Sequence, residues 1–405
     1  MAQKPPRKSA PKPDRRAGLT GAVARHPAGV AGGLIGLAAA GAAGVAVSRR
    51  GKGRAAPLTD EVATGGERTA AEFRADDPLG QAARTADRTA LVQAHDGVVL
   101  AVEEIGPMKA PLTVVFVHGY TLSMACWTFQ RRTLAAELAT ANGHRPDARL
   151  VFYDQRGHGM SGRGKSENST IEQLARDLAA VLEARVPRGP VVLVGHSMGG
   201  MTIMGLAAMH PELFGSKVGG SKVVGVALIS TSSGNLANLD FGLPALLTRV
   251  RAAVLPVAAW TMRRRPAIAE RTRRMAADIV SAATRSLSFA GGDVDPTLGH
   301  YVDAMIAGTP VDVIAEFYPA LAGLDHTGSL KPLREVPTLV LTGNRDKLIP
   351  KEHSERIVEL LPDADFVVVP EAGHMVLLEK PDEVSSALTG LLRRAMAAAP
   401  SERAG

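Results

Sequence analysis

Ser197 lies in a sequence setting that could make its hydroxyl a nucleophile. Residues 195–200 read GHSMGG, a G-x-S-x-G pattern, between the apolar run Val191–Val194 and a helix-like stretch that begins at Met201. In this strand–turn–helix setting the pattern presents a serine hydroxyl above the end of a sheet strand. The pattern's glycines remove side chains that would collide in the turn, and the helix directs amide groups at developing negative charge. We therefore predict that Ser197 is a nucleophile, with a packing turn of small residues as the alternative.

A serine hydroxyl is a poor nucleophile near neutral pH, so it needs a base that is oriented by an acid. Asp346 follows the apolar run Thr338–Leu341, and His374 follows the next run, Phe366–Val369. The chain order Ser, Asp, His is the order typical of the strand–turn–helix nucleophile. We therefore predict that His374 is the base and Asp346 its orienting acid.

Five other residues compete for these two roles. The alternative acids are Glu371 and Asp325, each of which also fits an ordinary surface carboxylate. His118 and His158 lie in glycine-rich turns, where a structural hydrogen-bonding role is expected. His196 adjoins the nucleophile, and its side chain is expected to point away from it.

Acyl transfer through a serine also needs donors for the oxyanion of the tetrahedral intermediate. The amide of Met198, directly after the nucleophile, is one predicted donor. The second is expected in the loop that follows the apolar run Thr113–Val117, which reads His-Gly-Tyr-Thr. We predict that the backbone amide of Tyr120 is this donor and that its side chain lines the pocket.

The elements around these residues predict an α/β fold with a mostly parallel, doubly wound sheet. Short apolar runs alternate with segments of helical period such as Thr170–Ala184, and uninterrupted apolar runs are typical of parallel strands that are buried on both faces. The carboxyl ends of such strands are where ligands bind. The predicted strands are Val98–Ile105, Thr113–Val117, Arg149–Tyr153, Val191–Val194, Val223–Ile229, Thr338–Leu341 and Phe366–Val369.

The basic character of the chain comes from its N-terminus. The whole chain of 405 residues has a net charge of +7, but residues 1–54 alone contain eleven Lys/Arg and one acid. With 4% aromatic residues and the positive charge confined to a tail, a nucleic-acid-binding role is disfavoured. The single cysteine, Cys126, excludes an internal disulfide framework and a cysteine-rich metal site.

The first 88 residues divide into three parts. Residues 1–26 form a predicted disordered basic tail, and residues 49–88 a predicted linker. Residues 27–48 carry no charge and would span about 33 Å as a helix, so we predict a transmembrane anchor. The flanking basic residues orient the rest of the chain to the outside of the cytoplasm. A flexible leader, a cleaved signal peptide and a cytoplasmic location are the alternatives.

Residues 89–396 resemble the α/β-hydrolase superfamily, in its serine esterase/lipase and haloperoxidase-like branch. The resemblance rests on five strings: VHGY (117–120), DQRGHGMSG (154–162), GHSMGG (195–200), TGNRDKLIP (342–350) and EAGHMVLLEKP (371–381). It implies hydrolysis through an acyl-enzyme, with no metal and no cofactor. Relatives with an aspartate nucleophile, the epoxide hydrolases and haloalkane dehalogenases, are disfavoured by Ser197. The N-terminal segment also resembles membrane-tethered actinobacterial hydrolases.

The resemblance further implies how the catalytic part is divided. Residues 89–231 and 337–397 are the predicted hydrolase core, and residues 232–336 a predicted helical cap. Arginines between residues 263 and 274 fit a solvated helix face, with attraction of an anionic headgroup as the alternative. The predicted substrate-binding residues are Tyr120, Phe289, Tyr301, Phe317 and Tyr318.

The expected activity is hydrolysis of carboxylic esters, with an apolar acyl or lipid ester as substrate. A perhydrolase, a thioesterase and an acyltransferase would use the same triad and are alternatives. A ligand receptor with vestigial activity is a further alternative of a different class. The expected partners are a small-molecule or lipid ester and, through the N-terminal segment, a membrane.

Overall fold

The computed structural model describes Met1 and residues 86–140, 148–215, 222–236, 286–291 and 294–398. The predicted tail, anchor and arginine cluster, nearly all of the linker and residues 237–285 of the predicted cap lie outside these ranges. Among the described residues there is no helix whose length and hydropathy would allow it to cross a membrane.

Eight strands form one sheet in the order β1-β2-β4-β3-β5-β6-β7-β8. The pairs β1/β2 and β2/β4 are antiparallel, and all other neighbours are parallel. The prediction of an α/β fold with a mostly parallel sheet is therefore confirmed. The strands are β1 Arg88–Gln93, β2 Val99–Ile105, β3 Leu112–Val117, β4 Ala148–Tyr153, β5 Val191–His196, β6 Val223–Ile229, β7 Thr338–Gly343 and β8 Asp365–Val369.

Helices cover both faces of the sheet. They are α1 Thr128–Thr140, α2 Ile171–Arg185, α3 Met198–Met209, α4 Pro296–Gly308, α5 Val311–Ala322, α6 Lys351–Leu360, α7 Val376–Glu379 and α8 Pro381–Ala398. Short 3-10 segments occur at Met124–Trp127, Ser166–Asn168, Pro211–Leu213 and Thr327–Glu335.

Strand β3 shows why the parallel strands are so apolar in sequence. Val114 and Phe116 belong to the apolar cluster on one face, whereas Val115 and Val117 belong to the cluster on the other. Successive side chains of a strand point to opposite faces, so a strand covered on both sides needs apolar residues throughout. This two-sided core fixes the carboxyl ends of β3, β5 and β7, and Val369 at the end of β8 packs into one of the two clusters. The predicted chemistry lies at these four ends.

Strand β1 is missing from the predicted strands, and its first residue, Arg88, falls in the predicted linker. The strand is at the edge of the sheet, and its residues alternate between exposed and more buried, with Leu91 74% exposed. An edge strand that is buried on one face lacks the continuous apolar run by which the other strands were recognised.

Two helices that follow residue 294 dock onto the core. Helices α4 and α5 lie within residues 232–336, the predicted helical cap. Arg163 from the loop after β4 pairs with Asp312 and, at 2.5 Å, with Glu316 of α5. The boundaries of the cap itself remain a prediction.

Candidate active site

Ser197 occupies a sharp turn between β5 and α3. Its backbone has φ +53° and ψ −119°, a conformation that non-glycine residues rarely adopt. Its amide donates to the Ile229 carbonyl at 2.9 Å, and its own carbonyl accepts from Thr231 Oγ1 at 2.7 Å. A Cβ at Gly199 would lie 2.1 Å from the Val117 carbonyl oxygen, so this position admits no side chain. These contacts hold a strained backbone that presents the serine hydroxyl.

The structure brings Ser197, His374 and Asp346 together in one hydrogen-bonded line. His374 Nε2 lies 3.1 Å from Ser197 Oγ, and His374 Nδ1 lies 2.8 Å from Asp346 Oδ2. All three residues are buried, Ser197 with 9% of its surface exposed. A carboxylate can only accept, so Nδ1 carries the proton and Nε2 is left to accept the hydroxyl proton of the serine.

Asp346 is itself held in place by the loop that follows β7. Its Oδ1 accepts the amides of Leu348 at 2.9 Å and Ile349 at 2.8 Å. The two amides fix the orientation of the carboxylate and leave Oδ2 for the imidazole.

The two alternative acids, Asp325 and Glu371, lie outside the hydrogen-bonded line of the triad. Asp325 is exposed and accepts the Thr327 amide at 3.2 Å. Glu371 is exposed on the outer side of the His374 loop, where it pairs with Arg345 at 2.5 Å. The carboxylate that contacts His374 is therefore that of Asp346 and not that of Asp325 or Glu371.

The amides of Tyr120 and Met198 lie on the two loops that meet at the serine. Gly119 packs against the nucleophile, since a Cβ there would lie 3.1 Å from Ser197 Cβ. Within the described part of the chain, neither the Tyr120 amide nor the Met198 amide donates to another protein group. An oxyanion hole needs such unbonded donors, and the assignment of this role to the two amides stays a prediction.

The loop that carries Tyr120 is a tight turn that is hydrogen-bonded to α5 and to the residues just before it. The Leu122 amide donates to the Gly119 carbonyl at 3.3 Å, and Thr121 has φ +61°. The Tyr120 hydroxyl donates to the Ile314 carbonyl in α5. Thr309 Oγ1 donates to the Thr121 carbonyl at 3.2 Å. The conformation of the turn thus depends on the residues that link α4 to α5.

Three buried histidines surround the triad without replacing His374. His118 Nδ1 donates to the Gly119 carbonyl at 2.7 Å, its Nε2 accepts the Gln155 amide at 2.9 Å, and burial lowers its pKa to about 4. Burial lowers the pKa of His158 to about 3. His196 Nε2 donates to the His374 carbonyl at 2.9 Å rather than pointing away from the site, and burial holds its pKa well below the usual value. All three are neutral at physiological pH.

The remaining substrate-binding candidates differ in exposure. Phe317 and Phe289 are fully buried, Phe317 beside His158 at a ring distance of 5.8 Å. The Tyr301 hydroxyl donates to the Ala125 carbonyl at 2.8 Å. Tyr318 is 46% exposed. Their part in substrate binding stays a prediction.

The sequence prediction missed Glu379. This half-buried carboxylate accepts the Gly373 amide, next to His374, at 2.8 Å. The signal was present, since Glu379 directly follows the apolar run Val376–Leu378 within the string EAGHMVLLEKP, which also contains His374.

Among the described residues, no group of three or more acidic, histidine or cysteine side chains could hold a metal ion.

Comparison with known proteins gives a consistent picture. A family model described as the alpha/beta hydrolase family matches residues 114–387. A thermophilic esterase from Thermogutta terrifontis superposes with a TM-score of 0.56 at 25% identity, covering 76% of this chain and 99% of that one. This likeness confirms the α/β-hydrolase architecture that the motif strings predicted.

Two curated proteins are similar in sequence over most of the chain. An sn-1-specific diacylglycerol lipase from Mus musculus is 28% identical over 69% of this chain and 80% of its own length. A dihydrolipoyllysine-residue acetyltransferase component of an acetoin cleaving system from Pseudomonas putida is 26% identical over 81% of this chain and 75% of its own length.

Proposed function

The chain belongs to the alpha/beta hydrolase family, and we propose that it is a serine hydrolase that cleaves carboxylic esters through an acyl-enzyme. The observation that carries the proposal is the line from Ser197 Oγ through His374 to Asp346, with contacts of 3.1 Å and 2.8 Å. It supplies a nucleophile, a base in reach of the hydroxyl proton, and a carboxylate that fixes the imidazole.

The proposed reaction has two half-steps that use the same groups. His374 Nε2 takes the proton of Ser197 as Oγ attacks the acyl carbonyl, and the Tyr120 and Met198 amides bind the resulting oxyanion. The imidazolium, stabilised by Asp346, protonates the leaving alcohol, and an ester of Ser197 remains. His374 then takes a proton from water, and the hydroxide attacks the acyl-enzyme. The imidazolium returns this proton to Ser197 Oγ as the carboxylic acid leaves.

An ester with an apolar acyl chain is the proposed substrate. Met198 and Phe317 belong to one apolar cluster that also includes Val313 of α5, so the surroundings of the nucleophile on the cap side are hydrophobic. The likeness to a diacylglycerol lipase supports a lipid ester in particular. A hydrophobic wall favours acyl chains because it removes their methylene groups from water.

Transfer of the acyl group to an acceptor other than water is the second candidate activity. It is supported by the likeness to the acetyltransferase component and needs no change in the triad. The two activities differ in the second half-step, where an alcohol or thiol replaces water. Adding an alcohol to an ester assay distinguishes them, because an acyltransferase forms the new ester in preference to the free acid.

Labelling with a fluorophosphonate followed by peptide mapping tests the nucleophile. We expect the wild-type protein to be labelled on Ser197, and Ser197→Ala to lose both labelling and hydrolysis of a p-nitrophenyl ester while it stays folded. Ser232→Ala is the matched control, since Ser232 Oγ also lies near a histidine, 2.8 Å from His353 Nδ1, but is fully buried. Labelling that survives in Ser197→Ala would overturn the proposal.

A further inference from the structure

Glu379 binds two backbone amides with its two carboxylate oxygens. Oε1 accepts the Gly373 amide at 2.8 Å, and Oε2 accepts the Ala290 amide at 2.8 Å. Gly373 directly precedes His374, whereas Ala290 belongs to residues 286–291, more than eighty positions earlier in the chain. One side chain therefore joins two segments that are distant in sequence.

The segment of residues 286–291 also contacts both loops of the triad. The Ser288 carbonyl accepts the Met375 amide at 2.9 Å, and the Ser286 carbonyl accepts Lys347 Nζ at 2.8 Å. Met375 follows His374, and Lys347 follows Asp346. The backbone on both sides of His374 is thus bonded, to Glu379 before it and to Ser288 after it.

The backbone of Gly373 lies so close to the backbone of Phe289 and Ala290 that a side chain would not fit. A Cβ there would lie 2.6 Å from the Ala290 nitrogen and 2.6 Å from the Phe289 carbonyl carbon. The direct packing of these two backbones leaves Glu379 as the acceptor that both amides share. Loss of this acceptor would leave two amides without a partner and the peptide before His374 without its anchor.

Glu379 also interacts electrostatically with the triad. Burial raises its pKa, the two amides oppose that rise, and the charges of Asp346 and His374 act on it. The groups that face His374 from the described elements are Asp346 after β7, the neutral His196 at the end of β5, and Glu379 on α7. Glu371, on the outer side of the same loop, is exposed and paired with Arg345.

We propose that Glu379 is a positioning residue that fixes the His374 peptide against residues 286–291 and places a second negative charge behind the catalytic imidazole. This inference rests on the proposed function, because it assigns Glu379 a role through His374. Without the carboxylate the imidazole points less accurately at Ser197, and the imidazolium that forms during catalysis is less stable.

The test compares Glu379→Gln with Glu371→Gln, which removes an exposed carboxylate from the same loop. Glutamine keeps the shape of glutamate but presents only one acceptor oxygen and no charge. We expect Glu379→Gln to lower kcat by about 10- to 100-fold with little change in KM. We also expect the acid limb of kcat/KM to move to lower pH by roughly half a unit or more. Glu371→Gln should change neither quantity.

Glu379→Asp provides the second variant, because it keeps the charge but shortens the reach to the two amides. We expect it to retain the acid limb of the wild type while kcat falls, which separates charge from position. The inference would be overturned if Glu379→Gln had the same kcat and the same acid limb as Glu371→Gln. Fluorophosphonate labelling of wild-type Ser197 keeps the two proposals apart, since it reports on the nucleophile whether or not Glu379 matters.

Discussion

The hydroxyl of Tyr120 donates a hydrogen bond to the main-chain carbonyl of Ile314, and so joins the loop after β3 to helix α5. The amide of the same tyrosine is the proposed second oxyanion donor, so one residue belongs both to the contact with α5 and to the proposed oxyanion site. Pro319 lies within α5 and cannot donate to the helix carbonyl four residues before it, so this part of the helix is poorer in internal bonds. The position of α5 thus influences the geometry of the Tyr120 amide.

Tyr120→Phe removes this bond and keeps the aromatic ring. Loss of one hydrogen bond should lower the free energy of unfolding by about 1 kcal/mol. Turnover should fall by about tenfold, less than the loss of a whole oxyanion donor, because the amide remains but is less well fixed. Steady-state kinetics and a urea titration measure the two effects. Unchanged kcat together with the expected loss of stability would show that the hydroxyl serves the fold alone.

Asp346→Asn tests the assignment of the orienting acid. The amide can present its NH₂ group to His374 Nδ1, which favours the tautomer that carries its proton on Nε2 and cannot accept from Ser197. We expect kcat to fall by about 10⁴-fold with the fold intact. Ester hydrolysis measures the loss, and Asp325→Asn, at the exposed alternative acid, is the control that should keep full activity. A large loss in Asp325→Asn and a small one in Asp346→Asn would reverse the assignment.

The continuous apolar runs made the parallel strands predictable. Strands β2 to β8 were each recognised within two residues at either end. In β3 to β7, burial on both faces leaves no alternation that could be confused with a helix. The same physics explains why β1 was missed, since its outward residues Thr89, Leu91 and Gln93 alternate with more buried ones and leave no continuous apolar run. The residues that follow β5, β7 and β8 could be assigned because the fold class specifies where chemistry occurs.

Contacts between distant segments could not be predicted in this way. No pattern in the sequence relates Glu379 to Ala290 or Tyr120 to Ile314, because each pair joins the predicted core to a distant segment of the predicted cap. The interior position of His196, whose ring binds the His374 carbonyl, depends instead on how two loops of the core meet, which no sequence pattern specifies. Side chains that hold the backbone of the site were therefore found only in the structure.

Gly199→Ala should disrupt the turn that presents the nucleophile. The added Cβ would lie 2.1 Å from the Val117 carbonyl oxygen, and neither backbone can move without breaking the sheet or the turn. We expect a loss of about 3 kcal/mol or more in the free energy of unfolding and no measurable hydrolysis. Denaturant titration and an ester assay test this expectation.

Gly205→Ala is the matched control for this prediction, because it lies in the same helix. A Cβ there would lie 3.2 Å from Ala175 Cβ, a contact that a small shift relieves, and alanine favours helix by about 1 kcal/mol. We expect near wild-type stability and activity. A Gly199→Ala protein as stable and active as Gly205→Ala would contradict the argument that this turn admits no side chain.

Stability should decrease as the pH falls from about 6.5 to 4.5, because buried histidines must take up protons on unfolding. Burial lowers the pKa of His118 to about 4 and that of His158 to about 3, and His196 is lowered as well. The folded-state pKa values lie below those of the unfolded chain, so the unfolded state binds more protons in this range and gains stability as the pH falls. Each such histidine should contribute about 2–3 kcal/mol of the loss by pH 4.5.

His158→Phe isolates one of these contributions. Phenylalanine fits the aromatic surroundings of Tyr120 and Phe317 and removes a ring whose Nε2 has no hydrogen-bond partner among the described residues. Urea titrations at about pH 7.5, 5.5 and 4.5 should show a decrease in stability that is smaller than in the wild type by the contribution of this one histidine, about 2–3 kcal/mol by pH 4.5. Carboxylates do not account for such a difference, since the two proteins have the same carboxylates. The same pH dependence in both proteins would mean that His158 is not neutral in the folded protein. The rings of Tyr120 and Phe317 would then exclude less water from it than its burial indicates.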